Sequence, residues 1–120
     1  MTRLRPAALA LFLAGCASTV VEEPPPAVPC TASGAVPATV VAMVAGVMNP
    51  DCIQVTRGAS VEFVNQDLEM HTATDQAAVP AFDLLLPPGS AERTPPLDGP
   101  GTIVASCTFH PAMQVTIFVP

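Results

Sequence analysis

Near the end of the chain, Cys107-Thr108-Phe109-His110-Pro111-Ala112-Met113 sets a thiol, an imidazole and a thioether at C-x-x-H-x-x-M spacing. Thiolate and thioether are soft ligands and imidazole is borderline, so the set suits copper better than zinc. Two imidazole nitrogens and one thiolate sulfur in a trigonal array, with a weak axial thioether, make a copper electron-transfer centre. The second imidazole must come from upstream, and the only other histidine is His71. The expected ligands of one copper ion are therefore His71, Cys107, His110 and Met113. A structural zinc site is built from cysteines or from cysteines and histidines, and a thioether is not among its usual ligands. The C-x-x-C-H pattern of a c-type haem is absent. Taken singly, each residue has a plainer reading: a buried thiol, a surface imidazole, a core thioether. Their combination, with one matching histidine upstream, is what points to a metal.

Short apolar runs separated by Gly, Pro, Asn and Asp must position these side chains, and they indicate an all-β domain. Val115, Ile117 and Val119 alternate with Gln114, Thr116 and Phe118, the period of a half-buried strand. Ile103, Ala105 and Cys107 share one face of the preceding strand, which starts at Pro100-Gly101, so Cys107 points inward with the core. Ile53 and Val55 fall on one face of a short strand, and Arg57-Gly58-Ala59 reads as a turn. Val61 and Phe63 alternate with Glu62, Asn65-Gln66-Asp67 ends that run, and His71 follows in the next loop or strand start. Residues 39–48 are apolar but alternate poorly. Their β-branched content leans toward strand, with helix as the second choice. Leu84-Leu85-Leu86 before Pro87-Pro88-Gly89 reads as a strand ending in a tight turn. About seven or eight strands in this length imply a Greek-key β-sandwich with sheets about 10 Å apart.

The N-terminus carries a different signal. Arg3 and Arg5 precede an apolar run from Ala7 to Gly15, too short for the roughly 20 residues of a membrane span, so residues 1–15 read as a secretory signal. The run ends Leu13-Ala14-Gly15-Cys16, which resembles the bacterial lipobox, in which the Cys becomes the first residue of the processed protein and carries acyl chains. An ordinary signal peptide with an incidental Cys16 is the alternative. Two or more chains would anchor stably. Ala17, where an Asp favours inner-membrane retention, leans by that resemblance toward the outer membrane. Residues 16–36 then form a lipidated, Pro-rich tether. Extended as polyproline II, residues 17–29 would reach about 40 Å. Of four cysteines, Cys16 is assigned to lipid and Cys107 to metal. Cys30 and Cys52 remain, free to pair in an oxidising compartment or to stay as two buried thiols.

Without the signal, all ten acidic residues stand against Arg57 and Arg93, a net charge of about −8. That composition disfavours nucleic acid, whose phosphates need Lys and Arg. It suits either solubility alone or the steering of basic partners. Trp and Tyr are absent, which argues against stacking platforms for bases.

Residues 37–120 resemble the cupredoxin family, the small blue-copper proteins with a type 1 site. Val61-Glu62-Phe63-Val64-Asn65 with Asp67 and His71-Thr72 resembles the family's V-x-F-x-N…H-T segment. Pro87-Pro88-Gly89-Ser90 is similar to its P-G-S turn, and Pro100-Gly101-Thr102 opens the strand that ends in the metal-binding Cys. The C-T-x-H-P-x-M spacing is similar to the compact loop of amicyanin-like members, whereas plastocyanin- and azurin-like members have longer loops. The chain departs from the pattern in Ala105, where an aromatic residue is common, in Met70, where Pro is common, and in having no Gly soon after Met113.

The resemblance implies a sandwich with copper at one end, His71, Cys107 and His110 equatorial and Met113 axial. It implies that the Thr72 backbone N–H donates to the Cys107 sulfur, and that Thr72 and Thr108 tie the two ligand loops together. Pro111 removes one N–H near the thiolate, which should raise the potential. His110 is the expected electron port, with Phe109, Ala112 and Met70 as an apolar docking patch or as plain packing. Copper uptake should release a proton, since Cys107 must ionise to bind. The expected function is a membrane-anchored, single-electron carrier in a bacterial cell envelope, on the periplasmic side. Its expected partners are redox proteins, basic ones such as a cytochrome or an oxidase subunit among them. The chain is not expected to be an enzyme. A copper storage or delivery lipoprotein, with Met43, Met48 and Met70 as extra thioethers, is the alternative, and a module that has lost its metal is a third.

Overall fold

A computed structural model describes residues 29–120. The expected signal segment, Cys16 and most of the tether lie outside the described residues. Ten short strands run β1 (Val36–Pro37), β2 (Val40–Val44), β3 (Val47–Asn49), β4 (Cys52–Gln54), β5 (Glu62–Asn65), β6 (His71–Asp75), β7 (Asp83–Leu86), β8 (Ala91–Arg93), β9 (Gly101–Cys107) and β10 (His110–Val119). They form two sheets, in the orders β1-β4-β10-β9-β6-β7 and β3-β2-β5-β8. The all-β sandwich is as the alternation indicated, but with ten strands rather than seven or eight. The excess comes from pieces of two or three residues at the edges, too short to leave a period in the sequence.

Residues 39–48 show why their pattern was ambiguous. They form a hairpin, β2 and β3, closed by Ala45-Gly46, with both residues at positive φ (51° and 72°). Positive φ at both central positions is the geometry that matches strand twist. Ala at such a position lacks the usual Asn or Gly signature, so the turn was not visible in the sequence. The β6–β7 hairpin pairs His71 with Leu86, and the Pro87-Pro88-Gly89 turn follows, with Gly89 at φ 77°.

The core lies between the sheets. Val41, Met43, Phe63, Ile53, Val115 and Ile117 are fully buried there. β9 and β10 are central in the larger sheet and pair over most of their length, from Val119 opposite Gly101 to His110 opposite Cys107. β4 pairs with β10 in parallel, and the Cys30–Cys52 disulfide ties the start of the described chain to β4. The pairing of those two cysteines is thus the one that the cysteine count allowed. β9 ends, β6 begins and β5 ends at the same pole of the sandwich, so Cys107, His71 and Asn65 converge.

Candidate metal centre

Cys107 is the last residue of β9 and wholly buried, as its place in the alternation requires. Thr108 and Phe109 make a turn, and the chain returns at His110 opposite Cys107. Register then shifts between His110 and Gln114, leaving residues 111–113 without partners on β9. Pro111 and Ala112 are exposed while Met113 turns into the core. The expected loop is therefore a two-residue turn followed by a bulged strand start. His71 opens β6 and is buried.

The Cys107 sulfur lies 3.7 Å from Nδ1 of His71 and 3.8 Å from Nδ1 of His110. Ligand atoms of the three residues all fall within 4.8 Å of one another. A metal bound at about 2.3 Å to sulfur and about 2.05 Å to nitrogen, with 120° between bonds, would separate those atoms by about 3.8 Å. The donor set and its spacing thus fit a small, borderline-soft ion in a trigonal plane. The residues suit copper, and Met113 is buried below the bulge.

Each imidazole is held by its far nitrogen. Nε2 of His71 sits 2.8 Å from Oδ2 of Asp67, and because a carboxylate only accepts, Nε2 carries a proton and Nδ1 is the nitrogen that would take a metal. Asp67 also accepts from the N–H groups of Ala45 (2.6 Å) and Gly46 (3.0 Å), which offsets the cost of Ala45 at positive φ. Buried Asn65 fixes the intervening loop: its Nδ2 donates to the carbonyls of Glu69 and Leu86, and its Oδ1 accepts from the Asp67 N–H. Asp67 and Asn65 thus orient His71, a role that their place in the quoted segment did not reveal. Oε2 of Glu69 lies 3.5 Å from Nε2 of His110.

The Thr72 N–H donates to the Cys107 sulfur at 3.4 Å. The Thr108 N–H donates to the Thr72 hydroxyl at 2.8 Å, and the two hydroxyls are 3.1 Å apart. Thr74 extends the group to Asp83, whose Oδ1 accepts from its hydroxyl at 2.8 Å. Thr74 and Asp83 stand on neighbouring strands, opposite each other in register, which the linear sequence does not display.

Charges follow this geometry. Burial pushes the Cys107 thiol up, but the Thr72 N–H, the two imidazoles and the Phe109 N–H outweigh it and bring the pKa down to about 6. Burial disfavours the His71 imidazolium, yet Asp67 and Cys107 more than compensate and raise its pKa. The Gly46 N–H and then His71 hold Asp67 below the usual carboxylate value. A metal taken up at neutral pH would displace whatever protons remain on Cys107 and on the His71 imidazolium.

The other sulfurs are placed differently. Met43 and Met48 are buried cross-strand partners in the core, whereas Met70 is exposed beside His71. Core packing therefore accounts for Met43 and Met48.

No family model matches the chain, and no curated protein does. Solved structures do. A purple cupredoxin from Nitrosopumilus maritimus is similar at 18% identity over 69% of this chain and 100% of that one, with a TM-score of 0.62. The Cu(I) form of an amicyanin variant is similar at 23% identity over 72% of this chain and 85% of that one, with a TM-score of 0.62. A Cu-containing nitrite reductase from Thermus scotoductus SA-01 is similar at 29% identity over 77% of this chain, with a TM-score of 0.60, but this chain spans only 25% of its length. The chain has the cupredoxin fold, and His71, Cys107 and His110 form a candidate type 1 copper site at one pole of it.

Proposed function

We propose that the protein is a membrane-anchored single-electron carrier with one type 1 copper ion that His71, Cys107, His110 and Met113 would hold. The observation that carries this reading is the approach of one thiol sulfur and two imidazole nitrogens to within 4.8 Å of one another. Copper would supply a one-electron couple between Cu(I) and Cu(II). The chain's part is to keep the ligands still while the charge changes. Asp67 and Asn65 hold His71, the threonine group joins the His71 strand to the Cys107 turn, and the paired β9 and β10 carry Cys107 and His110. His110, with its ring edge in solvent, is the electron port. Pro111 keeps a further N–H out of that turn.

The anchor belongs to the same proposal. Cys16 would carry the acyl chains and the Pro-rich segment would hold the domain off the lipid, on the periplasmic side of the envelope. Copper(II) added to the purified chain should produce an intense blue thiolate-to-copper band and a reversible voltammogram. A colourless protein that holds only Cu(I) and passes it on would favour storage or delivery instead. Cys16→Ser should move the protein from the membrane fraction to the soluble fraction, and a variant that stays in the membrane would sink the anchor.

A further inference from the structure

Three threonine hydroxyls and one carboxylate line up behind the Cys107 turn, and their protons can be counted. A hydroxyl has one proton to give, and a carboxylate only accepts. The Thr74 hydroxyl lies 2.8 Å from Oδ1 of Asp83 and 3.1 Å from the Thr72 hydroxyl, so its single proton goes to the carboxylate. The Thr74 oxygen then accepts from Thr108, 3.3 Å away. Thr108 in turn accepts from the Thr72 hydroxyl at 3.1 Å, and the Thr72 oxygen accepts the Thr108 N–H at 2.8 Å. The protons therefore point one way, from the peptide after Cys107 through Thr72, Thr108 and Thr74 to Asp83. A charge at the end of such a chain strengthens the bonds in it.

The fold fixes Asp83 for this task. It opens β7 directly opposite Thr74. The loop before it is closed by buried Asp75, whose N–H donates to the Phe82 carbonyl and whose carboxylate accepts from the N–H groups of Ala77 and Ala81. Among the described residues, the Thr74 hydroxyl is the hydrogen-bond partner of the Asp83 carboxylate. The two cations there, Arg57 and Arg93, are bonded to Pro120 and Glu62 instead.

We propose that Asp83 is a positioning residue for the metal centre: through Thr74 it orders the threonine hydroxyls, holds the peptide after Cys107 in one orientation, and lowers the reduction potential. This role rests on the electron-carrier reading and adds to it a carboxylate that stands on neither ligand-bearing turn. The sign follows from charge. A carboxylate favours the more positive, oxidised state of a nearby ion. An unattached surface carboxylate would act weakly across water, whereas the ordered hydroxyls carry its polarisation to the Thr108 N–H, next to the Cys107 thiolate.

The first measurement needs no copper. Thr74→Val removes the central hydroxyl and keeps the branched shape, so the strand should fold as before. In the metal-free full chain, nuclear magnetic resonance should then show the Thr108 amide exchanging with solvent about three- to tenfold faster, the worth of one ordinary hydrogen bond. The amides of Val104 and Ile117, in the β9–β10 ladder, should keep their rates, and Thr74→Ser, which restores a hydroxyl, should restore the Thr108 rate. An unchanged Thr108 rate, or equal acceleration along β9 and β10, would overturn the role of Asp83. The second measurement is voltammetry of the copper-loaded full chain. Asp83→Asn should move the balance toward Cu(I) by about three- to tenfold, a rise of about 30–60 mV at about 59 mV per tenfold. Thr74→Val should move it the same way. Asp98→Asn removes the same charge beside Gly58, at the Arg57 end, and should leave the potential in place. A shift in Asp83→Asn that Asp98→Asn shares, or that Thr74→Val lacks, would mean that charge acts through space alone, and the ordered hydroxyls would be wrong. A chain with no blue band but the expected exchange pattern would sink the electron-carrier reading and leave Asp83 as the brace of the Cys107 turn.

Discussion

A buried thiol stays protonated unless donors hold the thiolate, and Cys107 has them in two backbone N–H groups and two imidazoles. In the metal-free protein its absorbance should therefore titrate near pH 6, and an inflection at the ordinary thiol value would mean that the donors are not where the fold puts them. The sign of the linked stability follows from a folded pKa lying below the ordinary thiol value of 9.0. The thiolate stabilises the fold in full above pH 9.0, progressively less between 9.0 and about 6, and not at all below that. Denaturant midpoints of the metal-free wild type and of Cys107→Ala, compared across that range, should converge as pH falls. Met113 makes a second case at this scale. Its burial beneath the bulge makes Met113→Ala a cavity as well as a loss of the proposed axial sulfur. The variant should keep copper, with a potential shifted upward or a weaker, broader blue band, and lose about 2–5 kcal/mol of stability. Complete loss of copper would rule out the axial role.

Strands with a clear period were legible before the fold was known, and those without one were not. β9 and β10 are long, central and alternating, so Cys107 could be pointed inward from sequence alone. β1, β3 and β8 are two or three residues long and lie at sheet edges or beside them, where no inward face repeats. The carboxylates that orient the ligands were harder still to read. Asp67 reaches across to the β2–β3 turn and Asp83 pairs with Thr74 through strand register, and neither contact leaves a mark in linear spacing. The Cys30–Cys52 link was open between a bridge and two thiols because spacing does not decide pairing. It closes a separation of 22 residues and holds the start of the described chain, with the two-residue β1, against β4. Loop-closure entropy for such a separation is about 3 kcal/mol, so the double variant Cys30→Ser, Cys52→Ser should lower stability by about that amount. Because β4 pairs with β10 at Thr116, Ile117 and Phe118, toward the end of the strand away from His110, the blue band should survive. A variant as stable as the wild type would show that β1 and β4 hold together without the bridge.

For the molecule as a whole, the question is whether copper makes the fold or merely joins it. Small metal domains that lack a core are unfolded without their ion. Here the core runs through both sheets from Val41 to Val119, and its largest buried side chains, Phe63, Met43 and Ile53, are none of the expected ligands. Three of the four expected ligands stand on β9 and β10, whose ladder extends the length of the sandwich. Removal of copper should accordingly leave the far-ultraviolet circular dichroism unchanged and the unfolding transition cooperative. Copper that binds the folded chain alone would add about 2.7 kcal/mol at a hundredfold excess of free copper over its dissociation constant. For a domain of this size that is a rise of about 10–20 °C in the thermal midpoint. Calorimetry of the two forms measures both halves of the argument. A metal-free chain without a cooperative transition would mean that the pole around Cys107 organises the sandwich, rather than the sandwich organising the pole.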